Sequence, residues 1–277
     1  MITDSRPDRP IGIFDSGVGG LTVLKALRAR LPDEHFLYLG DTARLPYGIK
    51  SASSVLRYAR QATRHLQSRS IKLLVIACNT ASAVALRDLQ TELAPLPVIG
   101  VIEPGASAAV TARPSANHLV LATEATVRLG AYRQAILRLD RAATVEELAC
   151  ELLVALAEEG WTTGDIADAV IRRYLQPYLG ADGMNTLSSI ILGCTHFPLL
   201  RDALSAIAGE HVSIVDSAGT TATVVAERLL AEGLTRTLAG SGNLQLLATD
   251  GARRFARVGG VFLGSALSAD DIEIVDL

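Results

Sequence analysis

The sequence lacks the features that define several large classes of protein. Only three of its 277 residues are cysteines, an odd number too small for a disulfide framework, and no C-x-x-C spacing is present. The histidines are scattered, without an H-x-x-x-H or H-x-E pattern, so we expect no metal site. No uninterrupted apolar stretch reaches about 18 residues, so we expect no membrane-spanning helix.

Basic residues do not outnumber acidic ones, and aromatic residues are few. The formal net charge is -3 and aromatic residues make up 4% of the chain, so neither bulk attraction to nucleic acid nor a platform for stacking bases is expected. The N-terminal segment MITDSRPDRP has no apolar core, which excludes a secretory signal there and favours a cytoplasmic protein with reduced thiols. A small-molecule ligand is therefore the expected partner.

The glycine-rich segment DSGVGG follows an apolar run but lacks the fingerprints of nucleotide binding. Thr22 occupies the third glycine position of G-x-G-x-x-G, and the GK[ST] of a phosphate-binding loop is missing, so we expect no nucleotide cofactor. Asp15 and Ser16 open the segment at the end of a predicted strand. Asp15 can serve a site there, or it can simply cap the following helix.

Hydrophobic residues make up 49% of the chain, and short apolar runs alternate with segments of helical period. This alternation predicts an α/β fold with mostly parallel sheets. The predicted strands cover 11–16, 35–41, 72–78, 118–123, 189–194, 243–250 and 259–264. The predicted helices cover 21–31, 51–69, 82–93, 144–159, 164–178 and 221–232. Thr144 and Glu147 form a capping-box pattern at the start of the helix predicted over 144–159.

The proline- and glycine-rich segment 94–105 is the best candidate for a crossing between two units. We therefore predict two similar α/β domains that face one another. The first contains residues 1–100 and 214–277, and the second contains 101–213.

Two cysteines stand at matched positions in these units. Cys78 follows LLVIA and Cys194 follows SIILG, and each precedes a predicted helix. Ligands bind at the carboxyl edge of such sheets, where a helix N-terminus attracts a carboxylate and lowers the pKa of a thiol from about 8.5 toward neutrality. One such cysteine alone would more simply be a buried apolar residue. The matched pair favours a functional role, whereas Cys150, predicted on a helix flank, is expected to be structural.

Polar residues follow both thiols, namely Asn79 and Thr80 after the first and Thr195 and His196 after the second. They are able to act as ordinary helix caps, or together to donate hydrogen bonds to a substrate carboxylate. His196 is also placed to orient or deprotonate Cys194, although a lone histidine near a helix start is often a core residue.

Two further segments carry candidate site residues. GDTARLPYG is a turn whose Asp41, Tyr47 and Gly48 could line a cleft. Glu158 and Glu159 end a predicted helix, where negative charge is unfavourable, which hints at a role beyond structure. By helical phase Glu159 lies nearer the apolar stripe than Glu158.

Taken together, these segments resemble the glutamate racemases of the aspartate/glutamate racemase superfamily. The resemblance runs over nearly the whole chain from Ile11, through IGIFDSGVGGLTVL, YLGDTARLPYG, VIACNTASA, GVIEPG, LGAY, EEGW and ILGCTHFPLL. The CNT and CTH boxes are its most specific part.

The resemblance implies racemisation of L-glutamate to D-glutamate without a cofactor, which supplies D-glutamate for bacterial peptidoglycan. It also implies that the active site lies in the cleft between the two predicted domains. It implies Cys78 and Cys194 as the two bases, acting on D- and L-glutamate respectively, and a homodimer is the expected assembly. Supporting roles near the thiols fall to Asp15, Asp41, Glu158 and His196, with the family pattern favouring Glu158 over Glu159. The implied substrate contacts are Asp15, Ser16, Tyr47, Gly48, Asn79, Thr80, Thr123, Thr126, Thr195 and His196.

The sequence departs from the family pattern at four positions. Ala122, Ala125 and Leu129 stand where Gly, Gly and Ser are usual, and Glu151 stands where Pro is usual. These changes put the shape of the loop in question more than the chemistry. Two alternatives stay open, a racemase for aspartate or another amino acid and a non-catalytic protein that binds an amino acid.

Overall fold

A computed structural model describes residues 6–179, 187–238 and 240–277. Residues 1–5 of the predicted first domain and 180–186 of the predicted second domain lie outside the described residues. The strands within the described ranges are β1 Ile11–Asp15, β2 Phe36–Gly40, β3 Leu73–Ile76, β4 Val98–Gly100, β5 Asn117–Ala122, β6 Thr144–Ala149, β7 Ser189–Gly193, β8 Ser213–Asp216, β9 Leu244–Ala248 and β10 Ile272–Ile274.

Helices alternate with these strands along the chain. Those in the described ranges are α1 Leu21–Arg30, α2 Ala52–Ser68, α3 Asn79–Glu92, α4 Ile102–Ala112, α5 Glu124–Leu129, α6 Ala131–Leu139, α7 Glu151–Glu159, α8 Asp165–Leu175, α9 Arg201–Ala208, α10 Ser217–Ala231 and α11 Ala252–Leu263. Short 3₁₀ turns, including Tyr47–Ile49 and Phe197–Leu200, lie between some of them.

The strands form two parallel sheets, which confirms the predicted α/β class. The first has the order β10-β9-β2-β1-β3-β4 and the second the order β6-β5-β7-β8. Both faces of the first sheet are buried, as a parallel sheet covered by helices requires. Ile11 and Ile13 of β1 pack with α1, α10 and α11, whereas Phe14 faces α2 and α3 on the other side.

The two sheets are built from different parts of the chain. The first uses β1 to β4 and then β9 and β10, so the chain returns to it after the second sheet is complete. β8 extends to Asp216 and pairs with β7, so residues 214–216, which the predicted division gives to the first domain, contribute to the second sheet. The exact domain division stays a prediction, with the sheets favouring a boundary after Asp216.

The helix predicted over 144–159 is wrong in its first half. Residues 144–149 form β6, which pairs with β5 in register from Asn117 opposite Thr144 to Ala122 opposite Ala149. The capping box at Thr144 and Glu147 is therefore absent, and α7 begins at Glu151 after Cys150. The helix-favouring composition of TVEELA is overridden because the backbone of this edge strand finds hydrogen-bonding partners in β5.

The strand predicted over 259–264 is also wrong, since these residues end α11. Phe255, Val258 and Phe262 follow helical spacing and are buried. A Cβ on Gly259 would lie 2.7 Å from Leu21 Cδ1, so the glycine permits close packing of α11 on α1. The last strand is instead β10, which the sequence pattern did not indicate. No helix in the described ranges is both long and apolar enough to cross a membrane.

Candidate active site

The two sheets bring their carboxyl edges together at one place. The loop after β1 contacts the segment after β7 at Gly19, where a Cβ would lie 2.4 Å from Thr195 Oγ1 and 2.5 Å from His196 Nδ1. Any larger residue would push this segment away. Gly19 of the DSGVGG segment therefore permits close packing against the second thiol box.

Cys78 lies between β3 and α3 and is the N-cap residue of that helix. Its Sγ accepts a hydrogen bond from the Ala81 N–H at 3.4 Å, and it lies 3.6 Å from Ser16 Oγ. Burial, with a smaller contribution from the charge of Asp15, raises the pKa of the Cys78 thiol to about 12. The expectation that the helix N-terminus brings this pKa toward neutrality is therefore wrong for the protein without substrate, because desolvation outweighs the helix dipole.

Asp15 is fully buried at the end of β1. Its Oδ2 accepts the Gly17 N–H at 2.9 Å, whereas Oδ1 has no hydrogen-bonding partner among the described residues. Burial raises the pKa of this carboxyl, opposed by the charge of His196 and by backbone N–H groups. A carboxyl with a raised pKa beside a thiol is suited to exchange protons with it.

Cys194 follows β7 and has a side-chain partner of a different kind. His196 Nδ1 lies 3.7 Å from Cys194 Sγ, and His196 Nε2 lies 3.1 Å from Glu158 Oε1. Burial lowers the pKa of His196, but the hydrogen bonds with Cys194 and Glu158, together with the nearby charges of Cys194 and Asp15, outweigh it and bring the pKa to about 10. An imidazolium beside Cys194 would stabilise a thiolate there.

The helix expected directly after Cys194 does not begin there. Phe197–Leu200 form a 3₁₀ turn that contains Pro198, and α9 begins only at Arg201. Cys194 thus lacks the well-formed helix N-terminus that Cys78 caps. Its polar support comes from the imidazole of His196 instead.

Hydroxyl groups from both sheets meet beside α3. Thr80 Oγ1 lies 2.9 Å from Thr123 Oγ1 and 3.1 Å from Thr126 Oγ1, and the last two lie 3.1 Å apart. All three side chains are buried. This hydroxyl triangle joins the segment after β3 to the segment after β5, and it gathers three of the predicted substrate contacts.

The amide of Asn79 is oriented from the second-sheet side. Tyr132 OH donates to Asn79 Oδ1 at 2.7 Å, and Tyr132 is fully buried on α6. Asn79 Nδ2 is buried with no partner among the described residues, so it is free to donate to a bound ligand.

The turn after β2 places Asp41, Tyr47 and Gly48 as a group. Tyr47 OH donates a short hydrogen bond to Asp41 Oδ2, and Thr249 Oγ1 donates to Asp41 Oδ1 at 3.0 Å. A Cβ on Gly48 would lie 2.6 Å from Thr123 Cβ, so this turn reaches the hydroxyl triangle. Asp41 therefore holds Tyr47 in place.

Glu158, Glu159 and Cys150 lie in different surroundings. Glu158 faces His196, whereas Glu159 is exposed, so the helical-phase inference was wrong and the choice implied by the resemblance agrees with the geometry. Residues 145–149, which set the predicted apolar stripe, belong to β6, and the buried residues of α7 are Leu153, Leu156 and Ala157. Cys150 is fully buried in the second-sheet core at the start of α7, not on a helix flank, and burial raises its pKa to about 12.

The four residues that depart from the family pattern fit into the fold around the loop after β5. Ala122 and Ala125 are buried, and Leu129 ends α5 at a half-buried position. Glu151 Oε1 accepts the Glu124 N–H at 2.6 Å and so ties the start of α5 to the start of α7. The loop after β5 thus keeps Thr123 and Thr126 in the site despite the changes.

Two residues of the site had no role assigned from the sequence. Tyr132 belongs to the LGAY segment that carries the resemblance, so its position was signalled but its contact with Asn79 was not. Arg254 Nη2 donates to Glu158 Oε2 at 2.6 Å, and nothing in the sequence distinguishes it from other exposed arginines. Among the described residues, no group of three His, Cys, Asp or Glu side chains is arranged to hold a metal ion.

The fold and the site define an α/β protein with a buried thiol at the carboxyl edge of each of two parallel sheets. The chain belongs to the Asp/Glu/hydantoin racemase family, whose model matches residues 21–249. It is 49% identical over 94% of its length to the glutamate racemase of Geobacter metallireducens, covering 95% of that protein.

Solved structures give the same result. The glutamate racemase of Thermus thermophilus in complex with β-chloro-D-alanine is 43% identical with a TM-score of 0.86, and 98% of each chain is covered. The glutamate racemase of Francisella tularensis in complex with D-glutamate is 33% identical with a TM-score of 0.88, again over 98% of each chain.

Proposed function

We propose that this chain interconverts L- and D-glutamate without a cofactor, with Cys78 and Cys194 as the two bases. The observation that carries the proposal is the pair of thiols at the carboxyl edges of the two sheets, each with its own proton-exchanging neighbours. The similarity of the chain to glutamate racemases over nearly its whole length supports glutamate as the substrate.

The reaction moves one proton on each side of the substrate. The Cys194 thiolate removes the α-proton of L-glutamate, and the electron pair of the C–H bond passes into an enediolate-like carboxylate. The Cys78 thiol then donates its proton to the opposite face of Cα, which gives D-glutamate and leaves Cys78 as the thiolate. The reverse reaction exchanges the two roles.

The thiols differ in how they reach the required charge state. His196 is placed to accept the proton of Cys194 and to stabilise the thiolate as an imidazolium, with Glu158 supporting that charge. Cys78, whose pKa is raised to about 12, is a thiol when the site is empty and is ready to donate. Asp15 is placed to take its proton in the reverse direction, helped by the positive ammonium group of the bound substrate.

Substrate binding falls to the polar groups between the sheets. The free Nδ2 of Asn79 and the hydroxyl triangle supply donors for carboxylate oxygens, and Ser16 lies beside Cys78. Thr195 and the Tyr47–Gly48 turn complete the predicted contacts. Hydrogen bonds to the reacting carboxylate would stabilise the charge that develops on it.

The wider setting stays part of the proposal. D-glutamate made by such an enzyme would enter peptidoglycan synthesis in the cytoplasm. A homodimer is proposed as the working assembly, and sedimentation of the purified protein tests it.

The direct test follows L-glutamate in deuterated water with purified protein. We expect loss of the circular dichroism signal together with deuterium at C2, measured by mass spectrometry. Inversion that requires both thiols supports the mechanism. Binding of glutamate without exchange would support the alternative of a non-catalytic amino-acid-binding protein.

Selectivity is tested with aspartate in the same assay. Aspartate is one methylene shorter, so a buried donor would lose its partner at a cost of about 1 to 3 kcal/mol. We expect glutamate to be turned over roughly 5-fold to 150-fold better. Equal rates would indicate a broader amino-acid racemase.

Dependence on a cofactor is tested by exhaustive dialysis against a chelator. We expect full activity afterwards, since both bases are supplied by the chain itself. Activity that is lost and returns only with an added metal or organic cofactor would contradict this part of the proposal.

A further inference from the structure

A continuous line of polar contacts runs from the surface to Cys194. Arg254 Nη2 lies 2.6 Å from Glu158 Oε2, and the other oxygen of that carboxylate, Oε1, lies 3.1 Å from His196 Nε2. His196 Nδ1 is 3.7 Å from Cys194 Sγ. The line begins on α11, which packs with the first sheet, and ends on the second sheet.

Glu158 occupies a position that is unfavourable without a cationic partner. It lies in the last turn of α7, where the helix dipole presents negative charge to a carboxylate. Its side chain is only 16% exposed, so water compensates little of that repulsion. The hydrogen bond from His196 and the contact with Arg254 together hold the pKa of Glu158 below its usual value.

α11 contacts the imidazole in a second way. The ring of Phe262, two turns beyond Arg254, meets His196 edge-on with 5.0 Å between ring centroids. Arg254 fixes one oxygen of Glu158 and His196 occupies the other, so the plane of the carboxylate is set from both ends. One helix thus determines both the packing of His196 and the orientation of its acceptor.

We propose that Arg254 is a positioning residue for the Cys194 half of the reaction, acting through Glu158 and His196. This inference rests on the proposed function. It contrasts with an ordinary surface ion pair between Arg254 and Glu158, which would contribute little and would affect neither thiol selectively.

The two thiols are distinguishable only by a measurement that separates the two proton transfers. L- and D-glutamate have equal free energies, so kcat/KM must fall by the same factor in both directions for any variant. The isotope effects of C2 deuteration on kcat/KM are free to change differently for L- and D-glutamate. Cys194 removes the α-hydrogen of L-glutamate and Cys78 removes that of D-glutamate, so each deuterated enantiomer reports on one thiol.

The experiment compares Arg254→Met with the wild type on both enantiomers, with protium or deuterium at C2. We expect kcat/KM to fall roughly threefold to tenfold. The isotope effect should rise with L-glutamate, because proton removal by Cys194 becomes more strongly rate-limiting. It should fall with D-glutamate, because the slow step becomes delivery of a solvent-derived proton by Cys194.

Matched variants separate positioning from general damage. Arg253 is exposed on the same helix and forms no ion pair with the described residues, so Arg253→Met should leave both isotope effects at wild-type values. Arg254→Lys keeps the charge, so it should return both isotope effects part of the way to their wild-type values. Glu158→Gln breaks the same line of contacts at its next member and should shift the isotope effects in the same directions as Arg254→Met.

The outcomes distinguish this inference from the proposed function. A wild-type chain that does not invert glutamate overturns both. An active wild type whose Arg254→Met and Glu158→Gln variants keep the wild-type isotope effects, or change both in the same direction, overturns the positioning role alone.

Discussion

The two thiols occupy equivalent places in the two sheets, yet their surroundings differ. Cys78 caps the 14-residue helix α3 and receives a backbone N–H, with Asp15 and Ser16 nearby. Cys194 is followed by a 3₁₀ turn and is supported by His196. One thiol is thus supported mainly by backbone and the other by a side-chain network.

The difference shows that similar sequence boxes can reach similar chemistry by different electrostatics. A helix N-terminus contributes a fixed partial charge, but at Cys78 desolvation is larger and raises the thiol pKa to about 12. His196 brings a titratable group beside Cys194, with its own pKa raised to about 10. We therefore expect Cys78 to rest as the acid, with the imidazole of His196 placed to exchange a proton with Cys194.

Removing either thiol should have the largest effect. Cys78→Ser and Cys194→Ser should each lower the rate of inversion by roughly 10²- to 10⁴-fold or more, because a hydroxyl is too weak an acid to replace the thiol. The chain that keeps Cys78 should still exchange the α-proton of D-glutamate with retained configuration, and the chain that keeps Cys194 should do so with L-glutamate. Mass spectrometry in deuterated water measures both.

Inversion by either variant at a rate near that of the wild type would show that the substituted cysteine is not one of the two bases. Exchange of the same enantiomer by both variants would contradict the assignment of each thiol to one face.

His196 should give the Cys194 side its own pH dependence near and above neutral pH. Its pKa is raised from 6.5 to about 10 in the folded protein, so the stabilisation is complete below about pH 6.5 and is lost as the pH rises through 10. We expect the difference in unfolding free energy between the wild type and His196→Asn to shrink across this window. Urea unfolding at several pH values measures it, and a constant difference would argue against a charged His196.

The contact between Tyr132 and Asn79 should affect binding more than chemistry. Tyr132→Phe removes the hydrogen bond that orients the amide, so KM should rise roughly threefold to tenfold with little change in kcat. The isotope effects should stay symmetric between enantiomers, in contrast to those of Arg254→Met. Steady-state kinetics on both enantiomers test this, and an unchanged KM would show that Asn79 keeps its orientation without Tyr132.

Cys150 should give the smallest effect on activity and so serves as the control thiol. Cys150→Ser places a hydroxyl in the second-sheet core, which should destabilise the fold by about 1 to 3 kcal/mol. Inversion of glutamate should continue near the wild-type rate in conditions where the protein stays folded. Urea unfolding and the circular dichroism assay measure the two quantities, and a folded but inactive variant would mean that Cys150 takes part in the reaction.

The sequence by itself determined the α/β class and the two boxes around Cys78 and Cys194. Buried parallel strands are near-continuous apolar runs, and a polar residue where such a run ends falls at the carboxyl edge wherever the strand pairs. The residues Asn79, Thr80, Thr195 and His196 were found for the same reason, since they lie next to the thiols in the chain.

Tertiary structure decided the features that depend on partners distant in sequence. TVEELA forms β6 because β5 is there to pair with it, and GGVFLG ends α11 because α1 accepts its small residues. Because residues 144–149 form β6, the buried face of α7 consists of Leu153, Leu156 and Ala157, and Glu158 beside this face contacts His196. Arg254 meets Glu158 across 96 positions of chain. Local periodicity carries no information about such contacts, because in each of them the partner lies far away along the chain.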